Sequence, residues 1–167
     1  GVVPDMWIVK NRDYAVSWSV GFSDSSILGG TSNYLSLNTT GAIATYNNIW
    51  GSSPVNSSVI TMAGDRSVNI SGDDYVAYFF KAKQGYSKFG SYVGNGNANG
   101  AFVYTGFKPA FVMTKNTSAT DSWVIMDEKR SPGNVANKYL LPDTNGAEGT
   151  NFDMFDFVSN GFKCRRA

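Results

Sequence analysis

Histidine is absent from the 167 residues, and cysteine occurs once, at Cys164. The first absence excludes Ser-His-Asp and Cys-His catalysis and His-ligated zinc. The second excludes an internal disulfide and any thiolate-clustered metal site. Cys164 reads as a small apolar side chain in a strand, with an intermolecular bridge as the sharper alternative. Glutamate is confined to Glu128 and Glu148, and charged residues make up only 16% of the chain. The net charge is +1, and Lys and Arg are scattered. That leaves no electrostatic footprint for nucleic acid or for an anionic membrane. No apolar run approaches the roughly 20 residues of a membrane-spanning helix, and no signal peptide is visible. Because the first residue is Gly1, the expectation is a processed, excised or partial chain.

What is present is hydrophobic and turn-rich: 42% hydrophobic residues, 14% aromatic, and 18 Gly. That is a globular composition with a sizeable core. A repeat runs through it at an offset of 105 residues. Lys10-Asn11 returns as Lys115-Asn116, Ser17-Trp18 as Ser122-Trp123, Tyr34-Leu35 as Tyr139-Leu140 and Gly41-Ala42 as Gly146-Ala147. Met6-Trp7-Ile8 faces Phe111-Val112-Met113. One structural unit is used twice.

Short strand-like runs dominate. Met6–Val9 is rich in strand formers, and Ala15–Phe22 alternates with Val16, Trp18, Val20 and Phe22 on one face. Tyr34–Leu37, Val59–Met62 and Tyr75–Phe80 follow, then Tyr86–Val93, Phe102–Phe107, Phe111–Lys115, Trp123–Met126, Tyr139–Leu141, Phe152–Phe157 and Phe162–Cys164. A short helix over Ala42–Ile49 or Ala147–Met154 is the one helical expectation. The pattern reads as an all-β fold, a jelly-roll or concanavalin-like β-sandwich. It divides into 1–80 and 81–167, or closes as one pseudo-symmetric sandwich.

At offset 105, Ala167 answers Met62. The first copy then continues through the aromatic strand Tyr75–Phe80, for which the second shows no counterpart. The second is preceded by Gly85–Thr105, for which the first shows none. Three explanations compete: a longer tandem array, a sandwich that needs neither end, or strands supplied by a neighbouring subunit. An unpaired edge with an open core favours strand addition, and head-to-tail addition builds rings or filaments. Tyr75, Val76, Tyr78 and Phe80 form the candidate assembly strand.

Other candidates are weaker. Asp127-Glu128 follows a strand, so its carboxyls point to opposite faces, and Lys129-Arg130 beside it reads as a solvated turn. No cofactor is expected. Asp73-Asp74 and Asp153 with Asp156 are the carboxylates a calcium ion would use, without the spacing of a calcium loop. Sequons at Asn38, Asn56, Asn69 and Asn116 are about what chance supplies in a chain this rich in Asn, Ser and Thr. Tyr86 and Tyr92, with Asn95, Asn97 and Asn99, have the chemistry of a glycan platform, although Tyr86, Phe89 and Tyr92 cannot share one strand face.

The run Gly85-Tyr86-Ser87-Lys88-Phe89-Gly90-Ser91-Tyr92-Val93-Gly94-Asn95-Gly96, continued by Gly100-Ala101-Phe102-Val103-Tyr104-Thr105-Gly106-Phe107-Lys108-Pro109-Ala110-Phe111-Val112-Met113, resembles a module of structural proteins in marine and other environmental bacteriophages. Phe157-Val158-Ser159-Asn160-Gly161-Phe162-Lys163 fits the same module. Pro4–Arg12, Tyr34–Thr40 and Tyr75–Lys81 resemble its companion stretch. The resemblance implies tandem concanavalin-like (laminin-G-like) sandwiches in tail fibres or other virion appendages, with no catalytic residues. The expectation is therefore a non-enzymatic, self-assembling subunit of an extracellular fibre or virion appendage. Its partner is itself, with no nucleic acid or membrane partner. The alternative is a glycan-binding adhesion module that recognises a cell-surface polysaccharide.

Overall fold

The computed structural model of the chain describes residues 1–55 and 59–166. The fold is all-β and antiparallel, and the described residues contain no helix. The strands are β1 Met6–Asn11, β2 Ser19–Phe22, β3 Asn33–Ser36, β4 Ala44–Thr45, β5 Trp50–Val55, β6 Ile60–Met62, β7 Tyr75–Phe80, β8 Phe102–Tyr104, β9 Phe111–Thr114, β10 Val124–Asp127, β11 Phe155–Val158 and β12 Gly161–Cys164. They form a five-stranded sheet in the order β4-β3-β2-β1-β7, a three-stranded sheet β11-β12-β8, and the two-stranded sheets β10-β9 and β5-β6.

Two compact units emerge. One comprises Gly1–Ala82 with Asn116–Ser122, the other Lys83–Lys115 with Trp123–Ala167. The segment Asn116–Ser122 belongs to the first unit through backbone bonds from Ile43 N–H to the Thr117 carbonyl (3.1 Å) and from Asp121 N–H to the Thr40 carbonyl (2.9 Å). Each unit has its own core. In the first, Trp7 and Val9 of β1 pack against Ile49, Trp50 and Val68, with Ile60 and Met62 of β6 and Tyr75 of β7 around them. Trp7 and Trp50 meet edge to face at 5.4 Å, the arrangement ring quadrupoles favour. In the second, Val112, Val124 and Met126 of β9-β10 pack on Ala136 and on Phe155, Phe157 and Phe162 of β11-β12.

The sequence repeat is a repeat of hydrogen-bonding register. Met6↔Phe22, Trp7↔Gly21, Ile8↔Val20 and Val9↔Ser19 reappear as Phe111↔Asp127, Val112↔Met126, Met113↔Ile125 and Thr114↔Val124. Val20↔Leu35 and Tyr34↔Ala44 reappear as the isolated bridges Ile125↔Leu140 and Tyr139↔Gly149. Turn chemistry repeats too. The Asn11 side-chain oxygen accepts from the N–H groups of Asp13 and Tyr14, and that of Asn116 accepts from those of Ser118 and Ala119. Trp18 N–H donates to Asn38 Oδ1, and Trp123 N–H to Asp143 Oδ1. Short polar side chains that hydrogen-bond the backbone two or three residues on fix such turns.

Several expectations change. Ala42–Ile49 holds the short strand β4 rather than a helix, and Ala147–Met154 is irregular. Tyr86–Val93 is not a strand; a single bridge, Lys83↔Ser87, interrupts an exposed irregular path. Strand β5, Trp50–Val55, is absent from the strands expected from sequence; four of its six residues are Gly, Ser or Pro. Ser19 and Gly21 are buried along with Val20, so β2 is covered on both faces rather than one. Finally, the hairpin β11-β12 is three residues shorter than β5-β6. Trp50 pairs with Met62 while Phe155 pairs with Cys164, so Met62 answers Cys164 at an offset of 102, not Ala167 at 105.

Candidate functional site

The candidate assembly strand Tyr75–Phe80 is β7, and all six residues pair with β1, from Met6↔Phe80 to Asn11↔Tyr75. It is built into the first unit at both ends. The Tyr75 hydroxyl donates to the Arg66 carbonyl (3.0 Å) and accepts from Ile70 N–H (2.8 Å). Beyond the strand, Asp5 accepts from the Lys81 ammonium (3.0 Å) and from Ala82 N–H. Strand β7 is also the last strand of its sheet. Arg12 N–H donates to the Asp74 carbonyl (2.8 Å). Antiparallel alternation from that pair directs the backbone groups of Val76, Tyr78 and Phe80 toward β1 and those of Tyr75, Ala77 and Phe79 outward. Ala77 to Phe80 are exposed, with Tyr78 at 48% and Phe79 at 53%. Tyr78 is steadied by a stacked contact with Trp18 at 6.4 Å. An exposed, apolar edge strand is what soluble sheets ordinarily avoid.

The second edge is β9. In the first copy β1 lies between β2 and β7; in the second, β9 has β10 on one side and, among the described residues, no strand on the other. Glu128 N–H donates to the Ala110 carbonyl (3.0 Å), which fixes the alternation on this hairpin. The backbone groups of Phe111 and Met113 therefore point away from β10. Met6 is 4% exposed and its counterpart Phe111 56%.

The glycan candidates do not converge. Asn95 Nδ2 donates to the Asn99 carbonyl (3.1 Å), Asn97 N–H to Asn95 Oδ1 (3.2 Å) and Asn99 N–H to Asn97 Oδ1 (2.8 Å). These amides hold their own loop. Tyr86 stands out in solvent, 79% exposed. Tyr92 is 41% exposed, and its ring meets that of Phe162 edge-on at 6.0 Å. Burial pushes its phenol well above the usual range, and the neighbouring Cys164 thiol adds to the rise. Burial likewise raises the Cys164 thiol, opposed by the hydrogen bond from Tyr92 and by Lys163. A cavity of about 170 Å³ lies here, bounded by Tyr92, Asn95, Met154, Phe155, Cys164 and Arg166.

The carboxylates are engaged structurally. Burial alone would raise the Asp127 carboxyl, but the Arg130 N–H, the Arg130 guanidinium at 2.7 Å and the Lys129 N–H hold it below its ordinary value. Glu128 lies 3.6 Å from the Lys108 ammonium. Of the calcium candidates, Asp73 accepts from Asn11 and pairs with Arg66, Asp74 faces Arg12 at 3.9 Å, Asp156 faces Arg165 at 3.4 Å, and Asp153 is exposed. No group of three acidic, His or Cys residues suited to a metal occurs among the described residues. Asn38, Asn69 and Asn116 are exposed, each with its amide in a local hydrogen bond. Asn56 lies outside the described residues. No helix among the described residues is long and apolar enough to cross a membrane.

The chain belongs to the family described as a domain of unknown function (DUF7483), whose match spans residues 1–167. No curated protein and no solved structure matches it.

Proposed function

We propose that this chain is a non-enzymatic structural subunit of an extracellular fibre or virion appendage, and that it assembles through sheet edges. The observation that carries the reading is a pair of sheet edges, β7 in the first unit and β9 in the second, that carry no further strand among the described residues. Each carries exposed aromatic rings, Tyr78, Phe79 and Phe80 on β7 and Phe111 on β9. Joining two different edges is heterologous, so every subunit added leaves a new edge open and a filament grows. The phage-module resemblance supports the virion or cell-surface setting. The absence of histidine and the engagement of Asp127 and Glu128 with cations support a role without catalysis.

The test is sedimentation velocity over a wide concentration range, with negative-stain imaging of the same samples. Filaments or concentration-dependent oligomers are expected. Dispersed monomers at every concentration overturn the reading. A glycan-binding role has one observation in its favour, the cavity beside Tyr92 and Asn95 with Arg166 at its rim. Binding to a polysaccharide array that weakens on Arg166→Ala is the result that role requires.

A further inference from the structure

Asparagine is followed by glycine at Asn95, Asn99, Asn145 and Asn160, all in the second half of the chain. At such a pair the glycine backbone nitrogen can attack the asparagine side-chain amide, because no Cβ screens it. Three of these sites are held against that step and one is not. We infer that Asn145 is a site of spontaneous modification, losing its side-chain amide through a cyclic imide with Gly146.

The chemistry needs only water. The Gly146 nitrogen bonds to Asn145 Cγ, the Cγ–Nδ2 bond breaks, and ammonia leaves with the proton that Gly146 gives up. Water then opens the imide at either carbonyl. One opening leaves aspartate. The other leaves isoaspartate, with the main chain running through the former side chain. Nothing is oxidised or reduced.

The hydrogen bonds sort the four sites. At Asn95 the electrophile itself is held: Oδ1 accepts from Asn97 N–H (3.2 Å) and Nδ2 donates to the Asn99 carbonyl (3.1 Å). At Asn99 the reacting peptide is held on both sides. Its carbonyl takes that bond from Asn95, and Gly100 N–H donates to the Cys164 carbonyl (3.1 Å). Gly100 is also buried. At Asn160 the carbonyl accepts from Thr105 N–H (3.0 Å) and Gly106 N–H (3.2 Å), and Gly161 is a buried strand residue paired with Val158 and Tyr104.

Asn145 has none of this. Thr144 to Glu148 are exposed, and the Asn145 amide has no hydrogen-bond partner among the described residues. Gly146 N–H reaches the Thr144 hydroxyl at 3.3 Å, a long and weak bond. At the repeat offset, the first copy carries Thr40 in this place, so only the second copy's loop can react. Either product adds a negative charge to the loop that carries Glu148, the partner of Arg130 and Lys138.

This inference is independent of the assembly reading. The test is incubation of the full chain at mildly alkaline pH, in buffer and in denaturant. Tandem mass spectrometry of proteolytic peptides follows each site, so each site is its own control. In the folded protein Asn145 should react within about threefold of its rate in the unfolded chain. Asn95, Asn99 and Asn160 should be slowed about tenfold or more, because two hydrogen bonds must open at each before the ring closes. Both aspartate and isoaspartate should form at Asn145. Gly146→Ala should slow the reaction about tenfold by screening the nitrogen. The fold should tolerate it, since the nearest atom to the new Cβ is the Thr144 hydroxyl oxygen at 3.4 Å. Tenfold protection of Asn145 by folding, an equal rate at any of the other three sites in the folded protein, aspartate as the sole product, or an unchanged rate in Gly146→Ala would each overturn the assignment.

Discussion

In the first copy, the core face of the central hairpin carries Trp7 and Val9 on one strand and Gly21 and Ser19 opposite them. In the second it carries Val112 and Thr114, with Met126 and Val124 opposite. The large side chain has moved from one strand to the other while the pairing stayed fixed. Gly21 shows why the two arrangements cannot be mixed. A Cβ there would stand 2.5 Å from the Trp7 ring. The indole thus uses space that only glycine leaves, and its Nε1 has no hydrogen-bond partner among the described residues. Close-packed cores allow such exchanges only when volume is conserved across the pair.

The largest effects are expected from breaking that exchange. Gly21→Met alone should cost about 3 kcal/mol or more, because overpacking meets a ring with nowhere to go. Trp7→Val alone should cost about 3 kcal/mol, through lost burial and a cavity. Together they install the second copy's pair in the first, so the double variant should be clearly more stable than the sum of the singles implies. Chemical denaturation of the four proteins gives the coupling. Additive losses would show that volume exchange is not what relates the two copies.

A smaller contrast lies in the two turn-capping asparagines. Asn11 is fully buried; its oxygen caps a turn and its amide reaches the Arg66 carbonyl (2.9 Å), Asp73 (2.7 Å) and the Tyr75 hydroxyl (3.2 Å). Asn116 keeps the same cap in solvent. Asn11→Ala should cost about 2–4 kcal/mol, since it leaves buried partners unpaired, whereas Asn116→Ala should cost about 0.5–1 kcal/mol. Equal losses in thermal melts would mean that the turn, and not the buried network, sets the value of this residue.

How far the chain announced these features depended on their range. The all-β class and the repeat were legible because strand periodicity and sequence identity are local signals. The strand at Tyr75–Phe80 could be read as well, from its run of aromatic and β-branched residues. Strand β5 was not legible, because Trp50 and Val55 are its only strong strand formers and the turn-like Gly51–Pro54 separates them. Tyr86–Val93 misled in the opposite sense. Its aromatic residues suit a strand, but Tyr92 leans edge-on against Phe162 while still 41% exposed, and Tyr86 stands in solvent at 79%. The platform of Asn95, Asn97 and Asn99 failed for a related reason. Amides two residues apart in a loop bond one another more readily than they wait for a ligand.

A third contrast concerns pH. Phe22 of the first copy is replaced by Asp127 in the second, which caps its turn and pairs with Arg130, itself bonded to Glu148 at 2.9 Å. The folded Asp127 pKa lies below the unfolded one. The stability it contributes is therefore complete above the unfolded carboxyl pKa and is lost as pH falls through the folded value. Asp127→Asn should flatten this part of the acid limb, by about 0.5–1 kcal/mol, because the pair is partly exposed. Unfolding midpoints from neutral pH down to about pH 2 check this; an unchanged acid limb would assign the pH dependence to other carboxylates.

A modest effect on stability, and the sharpest on reactivity, is expected where Cys164 stands in the place of Met62. Both end the second strand of the hairpin, and Cys164 packs on the second core at partial burial. The thiol pKa is raised by that burial, so little of the reactive thiolate is present near neutral pH. Alkylation in the folded protein should therefore run about tenfold or more slower than in the unfolded chain. Cys164→Met restores the first copy's residue and should change stability by no more than about 1.5 kcal/mol. Tyr92→Ala should accelerate alkylation, because the ring that shields the sulfur is gone, although loss of its hydrogen bond alone would raise the thiol pKa further. The direction of the rate change decides which influence of Tyr92 governs: acceleration means access, and a slower reaction means that the hydrogen bond to the thiolate had been the larger effect.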